Sequence, residues 1–212
     1  MGVADKPKPL LKVTVFSDYI CPFCYIGDAR LERLREHYDL RVNWCLLEIH
    51  PDTPAESQPV SKLGYEDATW QQMMATLREM AELDGLKLRD QDFTTSSRSA
   101  LLLAEATKRK ATELFYKLHQ RLFLSLFAEG ENIGDREVLR RIAHEVGLSD
   151  TLTEDAWVNP DYAHFLRQYQ LAAEELDVSA TPTFFIGERN TRVDGAVPYQ
   201  ELLATAQASQ PL

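Results

Sequence analysis

The feature that most constrains this chain is a pair of cysteines three positions apart, directly after a β-rich segment. Residues 13–16 (VTVF) favour a strand, and Ser17-Asp18 form a short polar break after it. The sequence then continues with Cys21-Pro22-Phe23-Cys24 and an amphipathic run. Residues three apart lie on one face of a helix, so the two sulfurs can meet there. We predict a strand, a loop and a helix whose first turn carries two thiols.

The position of the first cysteine predicts its chemistry. Cys21 falls at or just before the start of the helix, where free N–H groups and the helix dipole favour an anion. Pro22 suits the first helical position, because the N–H that it lacks is not needed there. We therefore expect a lowered pKa for Cys21 and a second thiol, Cys24, that can close a disulfide with it.

Zinc binding is the alternative use of such a pair, and it needs further ligands at suitable spacing. Only Cys45 remains, and the five histidines are scattered along the chain. The motif thus favours redox chemistry, and we predict no metal site. Cys45 alternates with apolar neighbours on a predicted strand, so we expect it to be buried and inert.

Composition excludes several classes of function. The 212 residues are 44% hydrophobic and 26% charged, which is typical of a soluble globular protein. A net charge of −10 without a basic patch argues against nucleic acid and anionic membranes as partners. The N-terminus shows no signal-peptide pattern and no segment is apolar for the length of a membrane helix, so we expect a cytoplasmic protein. A CxxC pair in that compartment is more often catalytic or redox-sensing than structural.

The pattern of apolar residues predicts β-α-β, then a block of helices, then β-β-α. A proline-containing linker separates the first unit from the helices. The predicted strands are 11–16, 40–49, 183–186 and 191–193; the predicted helices are 22–38, 66–83, 98–110, 112–127, 136–146, 160–176 and 198–208.

Thr181-Pro182 stands directly before a predicted strand, where a proline removes a hydrogen-bond donor. Two interpretations are open. Pro182 is either trans and ends the preceding loop, or cis and turns the chain so that Thr181 faces the cysteine pair. About one X–Pro bond in twenty is cis, so the residues alone do not decide.

Together these motifs resemble the DsbA-like family of thioredoxin-fold proteins, and in detail its cytosolic FrnE-like branch. The resemblance covers nearly the whole chain and is carried by residues 18–27 (DYICPFCYIG), Trp44…Pro51, Gly147-Leu148 and residues 180–184 (ATPTF). It implies an α/β thioredoxin fold built from residues 1–52 plus 177–212. An all-helical domain, residues 53–176, is then inserted between the two halves, with its last long helix bridging back.

The resemblance also implies roles for individual residues. Cys21 is then the exposed nucleophile, Cys24 the buried resolving thiol and Pro182 the cis-proline. Substrate contacts are expected at Thr181, Pro22 and Phe23. Phe23 departs from the family, whose FrnE-like members usually have Trp there and whose secreted members have His. Without an imidazole beside Cys21, we expect a less oxidising dithiol than in the secreted proteins.

A separate candidate from the residues themselves is Asp18, three positions before Cys21. Its carboxylate can handle the proton of Cys24, or it can serve only as a loop or cap residue. The sequence leaves both roles open.

The resemblance predicts a thiol–disulfide oxidoreductase that needs no cofactor beyond the Cys21–Cys24 pair, with glutathione as an optional co-substrate. Its expected partners are proteins or small molecules with thiols or disulfides, and a reductase or oxidant. Two alternatives remain: a glutathione-dependent transferase or 2-hydroxychromene-2-carboxylate isomerase, and a non-catalytic redox-sensing or chaperone-like binding protein. The apolar helices leave open whether they close a core or a homodimer.

Overall fold

A computed structural model describes residues 7–209. Its strands are β1 (Leu10–Ser17), β2 (Asp39–Leu46), β3 (Gln58–Pro59), β4 (Phe93–Thr94), β5 (Thr183–Ile186) and β6 (Thr191–Asp194). Its α-helices are α1 (Pro22–Glu32), α2 (Asp67–Leu83), α3 (Arg98–Lys110), α4 (Thr112–Leu124), α5 (Arg136–Val146), α6 (Asp150–Val158), α7 (Pro160–Glu175) and α8 (Tyr199–Ala208).

The main sheet has the order β2-β1-β5-β6. β1 pairs in parallel with β2 and antiparallel with β5, and β5 pairs antiparallel with β6. The predicted β-α-β unit and the C-terminal hairpin with its helix are therefore confirmed. The two units join where β1 of the first pairs with β5 of the second. This arrangement confirms the thioredoxin-type fold class.

From Val15 to Ser17 β1 is buried on both faces, and its alternating side chains divide between two clusters. Val15 and its register partner Trp44 belong to the main core. Phe16 and its partner Cys45 lie on the opposite face, where they cluster with Ala173 of α7. The polar residues Lys12 and Thr14 lie in the first half of the strand, on the face that is not fully covered.

The segment between the halves is mostly helical, and α3 lies at its centre. Ala100–Thr107 are all buried, as expected for a helix that contacts neighbours on every side. The prediction of an all-helical insertion needs one correction, because β3 and β4 form a short antiparallel ladder. This ladder closes the loop between residues 58 and 94 beside the cysteine motif.

Several predicted boundaries differ from those observed. α1 ends at Glu32 and continues as a 3-10 helix over Arg33–Glu36, β2 ends at Leu46, and α4 gives way to a π-helix over Ser125–Glu129. Helix α6 is not predicted by the sequence pattern, because its nine residues have only a weak apolar period and resemble a loop. Its cap, Ser149, accepts a hydrogen bond from the Leu152 N–H at 3.3 Å and was a usable signal.

Two helices begin at residues whose side chains cap them. Asp135 and Asn159 accept hydrogen bonds from the second residues of α5 and α7, at 2.8 and 3.1 Å. Between residues 7 and 209, no helix is long and apolar enough to cross a bilayer.

Candidate active site

The structure places the two cysteines at the first turn of α1. Cys21 is the N-cap residue with extended backbone angles, and Pro22 occupies the first turn. The N–H of Cys24 donates to the carbonyl of Cys21 at 3.0 Å, which begins the helix. All three cysteines of the chain are free thiols. The short distance along the helix keeps Cys21 and Cys24 within reach of a common disulfide.

The expectation of an exposed nucleophile needs correction. Cys21 is only 6% exposed and Cys24 only 1%. Cys21 nevertheless borders a cleft that it shares with Pro22, Phe23 and Thr181. Any molecule that reacts with the Cys21 sulfur must therefore enter this cleft.

Thr181 and Pro182 lie directly beside the dithiol, 160 residues away in sequence. The peptide bond between them is cis. The Cys21 thiol donates to the carbonyl oxygen of Thr181 at 3.4 Å. The structure thus brings together Cys21, Cys24, Thr181 and Pro182 at the N-terminal end of α1.

The surroundings of the two thiols shift their pKa values in opposite directions. A hydrogen bond from Cys24 is the main cause that lowers the pKa of Cys21, aided by the side chain of Thr181 and opposed by burial. Burial raises the pKa of Cys24 well above its ordinary value, and the interaction with Cys21 adds to this. The asymmetry makes Cys21 the thiol that ionises first, as a nucleophile requires.

Asp18 is completely buried and lies at a junction of three segments. One carboxylate oxygen accepts hydrogen bonds from the Ile49 N–H at 2.8 Å and the Ser97 hydroxyl at 3.0 Å; the other accepts from the Ile20 N–H at 3.3 Å. Burial raises the pKa of Asp18 to about 7, although these hydrogen bonds oppose the change. The main-chain N–H of Asp18 also hydrogen-bonds to Cys24. Asp18 therefore links the loop before α1 to the segments of Ile49 and Ser97, and its carboxyl group titrates near neutral pH.

Gly27 of α1 permits the close approach of Pro182. A Cβ atom at position 27 would lie 2.8 Å from Cγ of Pro182 and 3.1 Å from the ring of Phe184. Only glycine leaves this space, so helix α1 and the Thr181–Pro182 segment can touch.

We expect Gly27→Ala to destabilise the protein by about 1–3 kcal/mol, because the added methyl group overpacks this contact. Urea unfolding, followed by circular dichroism, measures the change. An unhindered helical position would instead gain up to about 1 kcal/mol from the same replacement. A midpoint that stays constant or rises would therefore contradict the proposed contact.

His119 of α4 is a buried residue of the site region that the sequence analysis did not single out. Its Nδ1 lies 2.8 Å from the hydroxyl of Tyr19, and its Nε2 lies 3.2 Å from a carboxylate oxygen of Asp28. The ring also packs at 4.2 Å, centroid to centroid, from Trp44. His119 thereby connects the inserted helices to both flanks of the cysteine motif. A polar residue in the apolar face of a predicted helix was the available signal.

His119→Leu should lower the free energy of unfolding by about 2–5 kcal/mol, because it leaves Tyr19 and Asp28 as buried groups without their partner. His119→Gln should lose less stability, since an amide side chain can still donate and accept hydrogen bonds. Chemical denaturation of both variants tests this. The matched control is His164→Leu, at an exposed position. Equal losses for His119→Leu and His164→Leu would contradict the role of the buried hydrogen bonds.

Cys45 lies apart from this site. It is 5% exposed, as expected, and burial raises its pKa to about 11. The part of the chain that the structure describes has no cluster of three or more His, Cys, Asp or Glu side chains that could hold a metal ion.

Comparison with known proteins identifies the family. The DSBA-like thioredoxin domain matches residues 12–207. The uncharacterized protein YwbO of Bacillus subtilis is 32% identical over 186 residues, which cover 87% of this chain and 90% of YwbO. The match to the family extends over both halves of the sheet and the helices between them.

Solved structures show the same fold at lower identity. A probable DsbA oxidoreductase from Streptomyces coelicolor superposes with a TM-score of 0.83 at 24% identity, covering 95% of this chain and 92% of that one. A 2-hydroxychromene-2-carboxylate isomerase gives 0.72 at 17% identity, covering 93% of each chain. The cytosolic disulfide reductase DsbM from Pseudomonas aeruginosa, solved with GSH, gives 0.68 at 20% identity, covering 93% of this chain and 99% of DsbM. These likenesses show the fold. The family is shown by the match over residues 12–207, and the chain belongs to the DSBA-like thioredoxin domain family.

Proposed function

We propose that this protein is a thiol–disulfide oxidoreductase that works through the Cys21–Cys24 dithiol. The observation that carries the proposal is the placement of Cys21 at the N-terminus of α1, against the carbonyl of Thr181 and with Cys24 one turn away. The lowered pKa of Cys21 supports the role of attacking thiolate.

The reaction proceeds by two exchanges. The Cys21 thiolate attacks one sulfur of a substrate disulfide, a mixed disulfide forms, and one substrate thiolate leaves. Cys24 then loses its proton and attacks the sulfur of Cys21, which releases the second substrate thiolate. The dithiol is oxidised to the Cys21–Cys24 disulfide, and the substrate disulfide is reduced to two thiols by the same two electrons. The same two exchanges, run in reverse from the Cys21–Cys24 disulfide, form a disulfide in the substrate.

In this proposal Asp18 accepts the proton of Cys24. Its burial gives it a pKa of about 7, so it can exchange a proton at neutral pH. The main chain of Thr181 pairs with an extended substrate segment as a short β-addition. Pro22 and Phe23 border the path by which the substrate reaches Cys21.

We further propose a cytoplasmic, FrnE-like protein whose partners are disulfide- or thiol-containing molecules and a reductase or oxidant that resets the dithiol. The likeness to a cytosolic disulfide reductase supports this compartment. No cofactor is needed, because the two cysteines carry the electrons.

The likeness to an isomerase keeps a glutathione-dependent transferase or isomerase as the alternative. Cys24 counts against it, because a second thiol one turn from Cys21 is what disulfide exchange requires and a transferase or isomerase has no use for it. A non-catalytic binding protein is a further alternative, and it would keep its affinity for clients after loss of both cysteines.

Turnover of a disulfide substrate, with dithiothreitol as reductant, tests the proposal. Wild type should accelerate the reduction of insulin, and Cys21→Ser should abolish the acceleration. Cys45→Ser is the matched control and should remain active, because Cys45 of β2 lies in a separate cluster on the opposite face of the sheet. Full activity of Cys21→Ser would refute the assignment.

A further inference from the structure

The cleft beside Cys21 contains an imidazole, that of His50, which has no assigned part in the exchange reaction. His50 lines this cleft together with Cys21 and Thr181. It follows β2, on the loop that leads into the inserted segment. The cleft measures about 230 Å³. Because the cleft is this small, a substrate segment that contacts the Cys21 sulfur also meets the His50 imidazole.

Hydrogen bonds fix the backbone on both sides of His50. The N–H of Ile49 donates to the carboxylate of Asp18 at 2.8 Å. The N–H of Thr53 donates to the carbonyl of His50 at 3.1 Å, which closes a turn after it. Since Asp18 belongs to the loop that carries Cys21, the first of these bonds joins His50 to the framework of the dithiol.

The surroundings of His50 leave its imidazole free to accept a proton. Among the described residues, the cleft lining contains no Lys, Arg, Asp or Glu, and its ionisable side chains are Cys21, His50 and Tyr65. Of the acidic groups nearby, Glu48 pairs with Arg98 at 3.0 Å, Asp52 is exposed, and Asp18 is bound by hydrogen bonds from other segments. Burial lowers the pKa of His50, so the ring is mostly neutral at physiological pH.

One direction of the exchange releases a proton inside the cleft. When the protein oxidises a substrate, a substrate thiol attacks the Cys21–Cys24 disulfide, and the attacking species is the thiolate. A free thiol has a pKa of about 8.5, so only about a few per cent of it is ionised at neutral pH. A base that touches this thiol therefore accelerates the attack.

We propose that His50 is a catalytic base for the substrate thiol. Its imidazole accepts the thiol proton as the substrate sulfur bonds to the Cys21 sulfur and the Cys21–Cys24 bond breaks. The Cys24 thiolate takes a proton from Asp18, and the imidazolium gives its proton to water. A second substrate thiol, deprotonated in the same way, attacks the mixed disulfide and releases the Cys21 thiolate, so that two electrons pass from the substrate to the dithiol. This inference rests on the proposed thiol–disulfide exchange and adds a residue to it.

The pH dependence of this exchange tests the role of His50. The oxidised protein is mixed with an excess of a short neutral peptide that carries two cysteines, and reduction of the Cys21–Cys24 disulfide is followed by acid quenching, alkylation and mass spectrometry. We expect His50→Gln to react about tenfold more slowly than wild type at about pH 6.5. The deficit should shrink as the pH rises and vanish at about pH 9.5, where the peptide thiol ionises without a base. Asp18 titrates in both proteins, so the ratio of their rates isolates His50.

The matched control is His144→Gln, which makes the same change at an exposed position of α5 and should follow wild type at every pH. Equilibration with a glutathione redox buffer gives a second readout. A base changes the forward and reverse rates by the same factor, so the equilibrium constant of the Cys21–Cys24 disulfide in His50→Gln should stay within about twofold of wild type.

Three results would overturn the role of His50 while leaving the exchange reaction intact. They are equal rates of His50→Gln and wild type at about pH 6.5, a deficit of the same size at about pH 6.5 and 9.5, and a shifted equilibrium constant. A wild-type protein that neither oxidises the peptide nor accelerates the reduction of insulin would instead refute the proposed function.

Discussion

Cys24→Ser is expected to accumulate as a covalent disulfide between Cys21 and its substrate. The first exchange needs only Cys21, whereas release of the product needs the neighbouring thiol of Cys24. That thiol acts intramolecularly, and well-oriented intramolecular groups correspond to effective concentrations of about 10⁵ M and above. A millimolar external thiol cannot replace it, so multiple turnover should fall by more than about 100-fold. Intact-mass spectrometry after mixing with a peptide disulfide should show one peptide added per chain.

The control is the double variant Cys21→Ser/Cys24→Ser, which should form no adduct because Cys45 is buried and its pKa is raised. Dithiothreitol should remove the adduct of the single variant and restore the starting mass. An adduct that forms equally in the double variant would place the reactive thiol at Cys45. A Cys24→Ser protein with wild-type turnover would show that Cys24 does not resolve the mixed disulfide.

Asp18→Asn should produce a protein that is more stable at alkaline pH but a slower catalyst. In the folded state burial raises the pKa of Asp18 from 3.8 to about 7, so the folded protein holds this proton more tightly than the unfolded chain. The associated stability is fully present below pH 3.8 and is lost as the pH rises through about 7. The difference corresponds to about 4 kcal/mol at most. Asparagine cannot ionise, so its variant should lack this decline.

Urea unfolding of the fully reduced proteins at pH 5 and pH 8 measures the effect. Wild type should lose stability between these values, and the Asp18→Asn curve should change less and exceed wild type at pH 8. The second exchange, in which Cys24 loses its proton, should slow by about 100-fold in the variant. Asp52→Asn, at an exposed position, is the matched control and should follow wild type in both measurements. Parallel stability curves for wild type and Asp18→Asn would contradict the shifted titration, and an unchanged second exchange would contradict the proposed proton transfer.

The sequence was sufficient for those parts of the fold that depend on local pattern. The strand before Cys21, the helix start at Pro22 and the hairpin of β5 and β6 all follow from neighbouring residues, so their prediction was confirmed. The burial of Cys45 followed in the same way, from alternation along β2. In each case the physical cause lies within one or two turns or strands of the residue concerned.

The contacts between distant segments could not be predicted in this way. The hydrogen bonds of Tyr19 with His119 and of Asp18 with Ser97 join residues 100 and 79 positions apart. They depend on how the inserted helices dock against the sheet, and no local period encodes that. The same docking covers Cys21 and forms the cleft beside it, which explains why an exposed nucleophile was expected and a nearly buried one was found.

The hydrogen bonds of Asp18 and Tyr19 also bear on whether the inserted segment is a separable module. Ser97 and His119 belong to that segment, yet their partners belong to the loop that carries Cys21. A minimal chain that joined residues 1–52 directly to 177–212 would lose both hydrogen bonds and would expose apolar side chains, such as Trp44, that now pack against the inserted helices. The inserted helices are thus part of the framework that holds the dithiol loop, and they do not form a separable module.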